Sequence, residues 1–341
     1  MDVITLSHGS GGIETGKLLE RLILSKLKDD MKRALNGIGT DELDDGATLR
    51  IGSSSLVVSI DSYTVNPPFF PGGDVGELAA SGTINDVLMM GGNPVAILDS
   101  IVFEEGFPME KADEILNSFL DVLRRENVSL IGGDLKVMPR GQLDGVLIAT
   151  VGLGIAARPV VDSNLREGDK LIITGSIGEH GAAILAAQKG FDVESEGLKS
   201  DVRTLSFMRD LISEFGEEIH AARDPTRGGL AGSLNEWAKK TGLILVVDEE
   251  KIPVREEVRA FTELLGVDPL VLACEGRALL GVSPESADEI LSFLENRGEA
   301  PSLIGEVRRS ERFKGIVLLR TVSGGSRILE PPSGEIVPRI C

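Results

Sequence analysis

The chain has 341 residues, 42% hydrophobic and 26% charged, with a formal net charge of -19. That length suits two domains with a core each, and the composition is that of a folded protein rather than a disordered one. The acidity argues against a nucleic-acid partner, because no basic patch offsets it, and makes any anionic ligand depend on a bridging cation.

The start, Met1-Asp2-Val3, lacks a basic region followed by an apolar stretch, so no secretory signal is expected. No apolar run reaches the length of a membrane span; Gly145 to Ala157 comes nearest and is broken by glycines. The protein is therefore placed in the cytoplasm with no membrane partner. Cys274 and Cys341 cannot make a disulfide framework, and with only His8, His180 and His220 a nitrogen and sulfur metal site is not expected.

After the apolar Val3 to Leu6 comes Ser7-His8-Gly9-Ser10-Gly11-Gly12, then a helical pattern from Thr15 to about Lys28. Gly11 and Gly16-Lys17 have P-loop spacing, but Leu18 stands where that motif needs a hydroxyl for Mg²⁺, so the match is accidental. Asp41 to Ala47 forms an acidic turn holding Asp44 and Asp45, followed by a strand over 55–60 that ends in Asp61. Carboxylates at the end of a buried strand commonly hold a metal.

A helix is expected over 75–90, carrying Asn85 and Asp86 among Leu, Ala, Val and Met, where polar groups are costly unless they meet a partner. A strand over 95–103 and an amphipathic helix over 109–126 follow. Next, 128–136 reads as a strand running into Gly132-Gly133-Asp134-Leu135-Lys136, with 145–155 as its partner strand. The boundary between halves falls at Ala157-Arg158-Pro159.

In the second half, 169–175 reads as a strand, 179–189 and 200–215 as helices. Asp224-Pro225 reads as the N-cap and first position of a further helix, which would make an anion site of its free amides. Leu270 to Arg277 reads as a strand delivering Glu275, with Cys274 a buried small hydrophobe. A helix over 285–296 and a strand over 315–319 precede the end.

The last residues, Pro331 to Cys341, contain three prolines and suit neither helix nor central strand. An extended arm of this length reaches about 35 Å, enough to carry a thiol into a cleft. Prenylation is excluded, because that signal needs Cys fourth from the end.

Asp44, Asp45, Asp61, Asp86, Asp134 and Asp224 each stand beside a small residue or at an element boundary. Together they are suited to Mg²⁺ ions that in turn hold a triphosphate. Asp44-Asp45-Gly46-Ala47, Ser59-Ile60-Asp61, Asn85-Asp86, Gly132-Gly133-Asp134 and Asp224-Pro225-Thr226-Arg227-Gly228-Gly229 resemble the aminoimidazole ribonucleotide synthetase (PurM-like) superfamily of ATP-using enzymes. Within it, Ser7 to Gly12, Gly132 to Lys136, Ala273-Cys274-Glu275-Gly276-Arg277 and the terminal Pro338-Arg339-Ile340-Cys341 resemble the carbamoyl dehydratases of hydrogenase maturation.

The resemblance implies an α+β fold of two domains, 1–157 for ATP binding and dimerisation through a β-barrel, and 158–330, with a mobile tail over 331–341. It implies a homodimer, ATP and Mg²⁺ as cofactors, HypF as the carbamoyl donor and a HypC-HypD complex as the cyanide acceptor. Asp45, Asp61, Asp86, Asp134 and Asp224 would hold metal. Asp44, Asn85, Gly132, Gly133, Thr226, His8, Gly11 and Gly12 would join them around the nucleotide, the glycine-rich opening as a mobile cover over the phosphates. Cys341 would carry the reacting group, Lys136 would offset phosphoryl charge and Glu275 would act as general base. Two alternatives stand beside this: a kinase or ligase of the same superfamily acting on a free small molecule, and a non-enzymatic scaffold docked by its tail.

Overall fold

The computed structural model describes residues 3–191, 197–334 and 340–341. After a 3-10 turn over Leu6–Gly9 come α1 (Ile13–Leu22), β1 (Ala47–Ile51), β2 (Ser54–Tyr63), the short β3 (Phe69–Phe70) and β4 (Gly73–Asp74), and α2 (Val75–Met89). Then follow β5 (Asn93–Glu104), α3 (Met109–Glu126), β6 (Ser129–Met138) and β7 (Val146–Ala156). The second half contains β8 (Lys170–Ile173), α4 (Glu179–Gln188), α5 (Phe207–Phe215), β9 (Ile219–Arg223), α6 (Gly229–Thr241), β10 (Ile244–Asp248) and α7 (Glu256–Leu265). It closes with β11 (Leu279–Val282), α8 (Ala287–Asn296), β12 (Ser302–Arg308), β13 (Ile316–Arg320) and β14 (Ser326–Leu329).

Among the described residues one sheet has the order β1-β2-β7-β5-β6, β3 and β4 pair by themselves, and the strands from Lys170 form a sheet in the order β14-β13-β10-β12-β8-β11-β9. Each alternates with helices in an α+β arrangement. Helix α2 is apolar on every side, and it is accordingly buried, packed on β2, β7 and α3. Asp74 caps it by accepting from Gly76 N–H at 2.7 Å and Glu77 N–H at 3.0 Å. It lies so close to the sheet that a Cβ on Gly154 would stand 2.3 Å from Val87. Here β7 needs glycine for contact, not for a turn.

Several sequence expectations need correction. The partner of β6 is β5, in parallel, while β7 pairs with β5 and β2; the 18-residue helix α3 between β5 and β6 is the crossover that parallel pairing requires. Residues 272–277 are not a strand but a loop after a 3-10 turn over Pro269–Val271. Asp224 caps no helix: it directly follows β9, and α6 starts five residues later behind Gly228, whose φ of 85° only glycine adopts without strain. Helix α5 starts at Phe207 rather than near 200, and α1 stops at Leu22.

The tail is likewise not free throughout. Pro332 accepts from Ile13 N–H at 3.0 Å, Ser333 and Gly334 donate to Glu14, and Ile340 and Cys341 are buried against the apolar core that the two halves share. Residues 335–339 lie outside the described residues.

Candidate active site

Where β9, α2 and the acidic turn before β1 converge, carboxylate oxygens of Asp45, Asp86 and Asp224 lie within 4.8 Å of one another. Burial, followed by mutual repulsion, pushes Asp86 well above the usual carboxylate range. Asp224 is pushed up to about 7 by burial, and Asp45 rises for the same first reason although the Arg223 guanidinium opposes it. One oxygen of Asp45 and one of Asp224 are buried without a hydrogen-bond partner. Three carboxylates converging with unused oxygens are the donor set of a hard divalent cation, so the residues present fit Mg²⁺.

Neighbouring groups hold this trio in place. Ser59 donates to Asp86 at 2.5 Å. Arg223, buried, pairs with Asp162 at 2.7 Å and with Asp45 at 3.1 Å, and also reaches Glu236. Asp44 is turned away from the trio into an ion pair with Lys240, which also meets Asp162 at 3.2 Å. That pair pins the acidic turn onto α6 through one carboxylate oxygen, while the other is buried without a hydrogen-bond partner.

Cys341 lies beside this cleft. Its thiol is raised by burial and feels the charges of Arg227, Asp61, Glu275 and Asp224. Asp61 stands 3.7 Å from Arg227. Glu275 is buried with Oε1 unpartnered, and burial pushes its carboxyl well up. It does not anchor Arg277, which pairs instead with Glu179 at 2.7 Å.

Other sequence candidates fall elsewhere. Asn85 spends its amide within the protein: it donates to the carbonyls of Arg203 at 3.0 Å and Glu275 at 3.3 Å and accepts from Leu205 N–H at 2.8 Å. Those bonds make it a suture between α2 and the Glu275 loop. Asp134 and Lys136 pair with each other at 2.7 Å on the exposed edge strand β6, and Asp134 is not among the converging carboxylates. Gly133 makes room for Asp99, which a Cβ would meet at 1.7 Å.

His8 closes a cap on Thr5 at 2.8 Å. Gly11 and Gly12 meet protein rather than open space, since Cβ atoms there would strike Arg227 and the Pro332 carbonyl at 2.4 and 2.3 Å. Thr226 sits in the turn after Pro225, its N–H on the Asp224 carbonyl at 3.0 Å.

Sequence reading overlooked Arg223, Arg227, Thr64 and His180. Arg227 alone carried a signal, lying in the Asp224-to-Gly229 motif. The others are single residues whose partners lie far away in sequence.

Residues 43–156 match the family described as AIR synthase related protein, N-terminal domain, and residues 166–318 the corresponding C-terminal domain. Fold and acidic cleft thus define an AIR synthase related protein. The carbamoyl dehydratase HypE of Rhizobium leguminosarum bv. viciae is 38% identical over 99% of this chain and 95% of its own. A crystal structure of the hydrogenase maturation protein HypE in complex with ATP matches with a TM-score of 0.81 at 36% identity, covering 99% of this chain and 100% of that one. The structure of a HypE-HypF complex matches with a TM-score of 0.83 at 34% identity, covering 92% and 99%. The chain belongs to the HypE family of carbamoyl dehydratases.

Proposed function

We propose that this protein is an ATP-dependent carbamoyl dehydratase that converts an S-carbamoyl group on Cys341 into S-bound cyanide for hydrogenase iron. The observation that carries it is the burial of Cys341 in the protein's own body, within reach of the charges of Arg227, Asp61, Glu275 and Asp224. HypF supplies the carbamoyl group. The phosphoryl group of ATP goes to the thiocarboxamide oxygen, ADP leaves, and one N–H proton is lost. Loss of the second N–H proton expels phosphate with the C–O electron pair, leaving S–C≡N.

Asp45, Asp86 and Asp224 are the residues that would hold Mg²⁺, which when bound offsets phosphate charge that a chain of net charge -19 would otherwise repel. Arg227 places positive charge next to the reacting sulfur. Glu275, buried and with an unused oxygen, is the candidate to take a proton from nitrogen. Asp61 shares the Arg227 charge and keeps it oriented.

The protein acts as a homodimer built on the first sheet. Its edge strand β6 is exposed along its length, with Leu130, Ile131, Leu135 and Val137 bare beside Ile60 and Ile155 of the same sheet. An open edge bearing apolar side chains is a template for a second copy. Asp134 and Lys136 lie on that edge, so their part in nucleotide binding belongs to the assembled dimer. The residues before 158 form the ATP-binding and dimerising domain, and a HypC-HypD complex is the acceptor of cyanide.

The test is intact mass after incubation with HypF, carbamoyl phosphate and ATP. The native chain gains the mass of a cyano group, whereas Cys341→Ala gains nothing. Turnover of a free small molecule by Cys341→Ala would instead make this a superfamily kinase or ligase.

A further inference from the structure

Ile340 and Cys341 are held by their main chain. The Ile340 carbonyl lies 2.9 Å from His180 Nε2, and the Cys341 main-chain oxygen accepts from Thr64 N–H at 2.9 Å and from Thr64 Oγ1 at 3.2 Å. Among the described residues no hydrogen bond reaches the Cys341 sulfur. We infer that His180 and Thr64 are positioning residues: they form a seat that reads these main-chain oxygens and thereby sets where the Cys341 sulfur stands during the dehydration proposed above, on which this inference rests.

His180 is built for that task. A carbonyl only accepts, so Nε2 must carry the ring proton, and Nδ1 is then a lone pair facing Ser200 Oγ at 2.7 Å. Ser200 is itself fixed, because its oxygen accepts from Val202 N–H at 3.1 Å and its N–H donates to the Pro71 carbonyl at 2.8 Å. Phe70 stands edge-on to the imidazole with ring centroids 5.4 Å apart. Burial holds the ring neutral, down to about 4, which keeps this tautomer in place at working pH.

A seat that grips main-chain oxygens is indifferent to what the sulfur carries. The same two contacts serve the free thiol, the carbamoyl form and the cyano form, so the group can change while its position does not. Thr64 follows β2 in the first half and His180 lies on α4 in the second, so the seat exists only when the halves are packed as here.

The test is the rate at which iodoacetamide alkylates Cys341 in the full-length protein, read from the mass of the C-terminal peptide. Cys274, buried in the second core, is the internal control. His180→Ala should alkylate about tenfold faster, as expected for one lost hydrogen bond of roughly 1.4 kcal/mol, and His180→Gln, which restores an N–H donor, should fall between. In single turnover of pre-carbamoylated protein, cyanide formation should slow by a similar factor while ATP affinity by calorimetry stays the same.

Should His180→Ala destabilise the fold, Ser200→Ala and Thr64→Val replace it, each with a smaller gain in alkylation. Unchanged alkylation in folded variants overturns the inference, as does faster alkylation with unchanged single-turnover rate. Should no form, wild type included, make cyanide while the alkylation contrast persists, the seat stands and the dehydratase reading fails.

Discussion

Cys341 and the strand over Gly132 to Lys136 are both put forward for catalysis by the sequence, yet they end in opposite surroundings. The cysteine, read as the tip of a loose arm, is 8% exposed and seated among charged groups. The strand, read as part of the nucleotide cleft, is exposed along its length, with its Lys136 committed to Asp134. The difference teaches that placement follows main-chain bonding rather than side-chain chemistry. Ile340 and Cys341 find donors in Thr64 and His180, whereas β6 pairs on one side through β5 and leaves the other side open.

The sharpest way to break the buried side of this contrast is Cys341→Ser, expected to abolish cyanide formation outright by mass spectrometry. Next, Arg223→Met removes the cation that compensates Asp45 and Asp162. It should destabilise the protein by about 3–5 kcal/mol in urea unfolding, because uncompensated buried charges remain.

A third measurement isolates His180. Its folded value of about 4 lies below the ordinary 6.5, so the unfolded chain binds more protons between those values. The stabilising contribution is complete above about pH 6.5 and is lost as pH falls towards about 4. Wild type should therefore lose up to roughly 3 kcal/mol relative to His180→Gln over that range in thermal unfolding. A constant difference across the range would show that the ring is not held neutral.

On the exposed side the expected effect is smallest. Leu135→Glu on β6 should convert a dimer to a monomer in sedimentation and lower ATP turnover by about tenfold, roughly 1.4 kcal/mol, without shifting the melting temperature of the subunit. An unchanged sedimentation coefficient would place the dimer contact elsewhere.

What sequence reading captured is local. Helix α3 was legible to the residue because its apolar face repeats every three to four positions, and α2 because its small apolar residues span a full helix length. The trio Asp45, Asp86 and Asp224 was nameable because each sits in a short motif. The internal partners of Asn85 were not legible, because a polar residue in an apolar helix signals only that a partner exists, not that it is the carbonyls of Arg203 and Glu275. Asp44 and Asp45 are adjacent in sequence, and only their packing sends one to Lys240 and the other to the trio.

By itself, then, the sequence determined the helices and strands with clear periodicity, the acidic inventory and the terminal-segment cysteine, since these depend on residue type and spacing along the chain. Tertiary structure alone decided that β6 joins β5, that Asp224 directly follows a strand, and that His180 and Thr64 grip Ile340 and Cys341. Those outcomes are hydrogen bonds and ion pairs between residues far apart in sequence, and no local pattern encodes which of many possible partners a donor or carboxylate will meet.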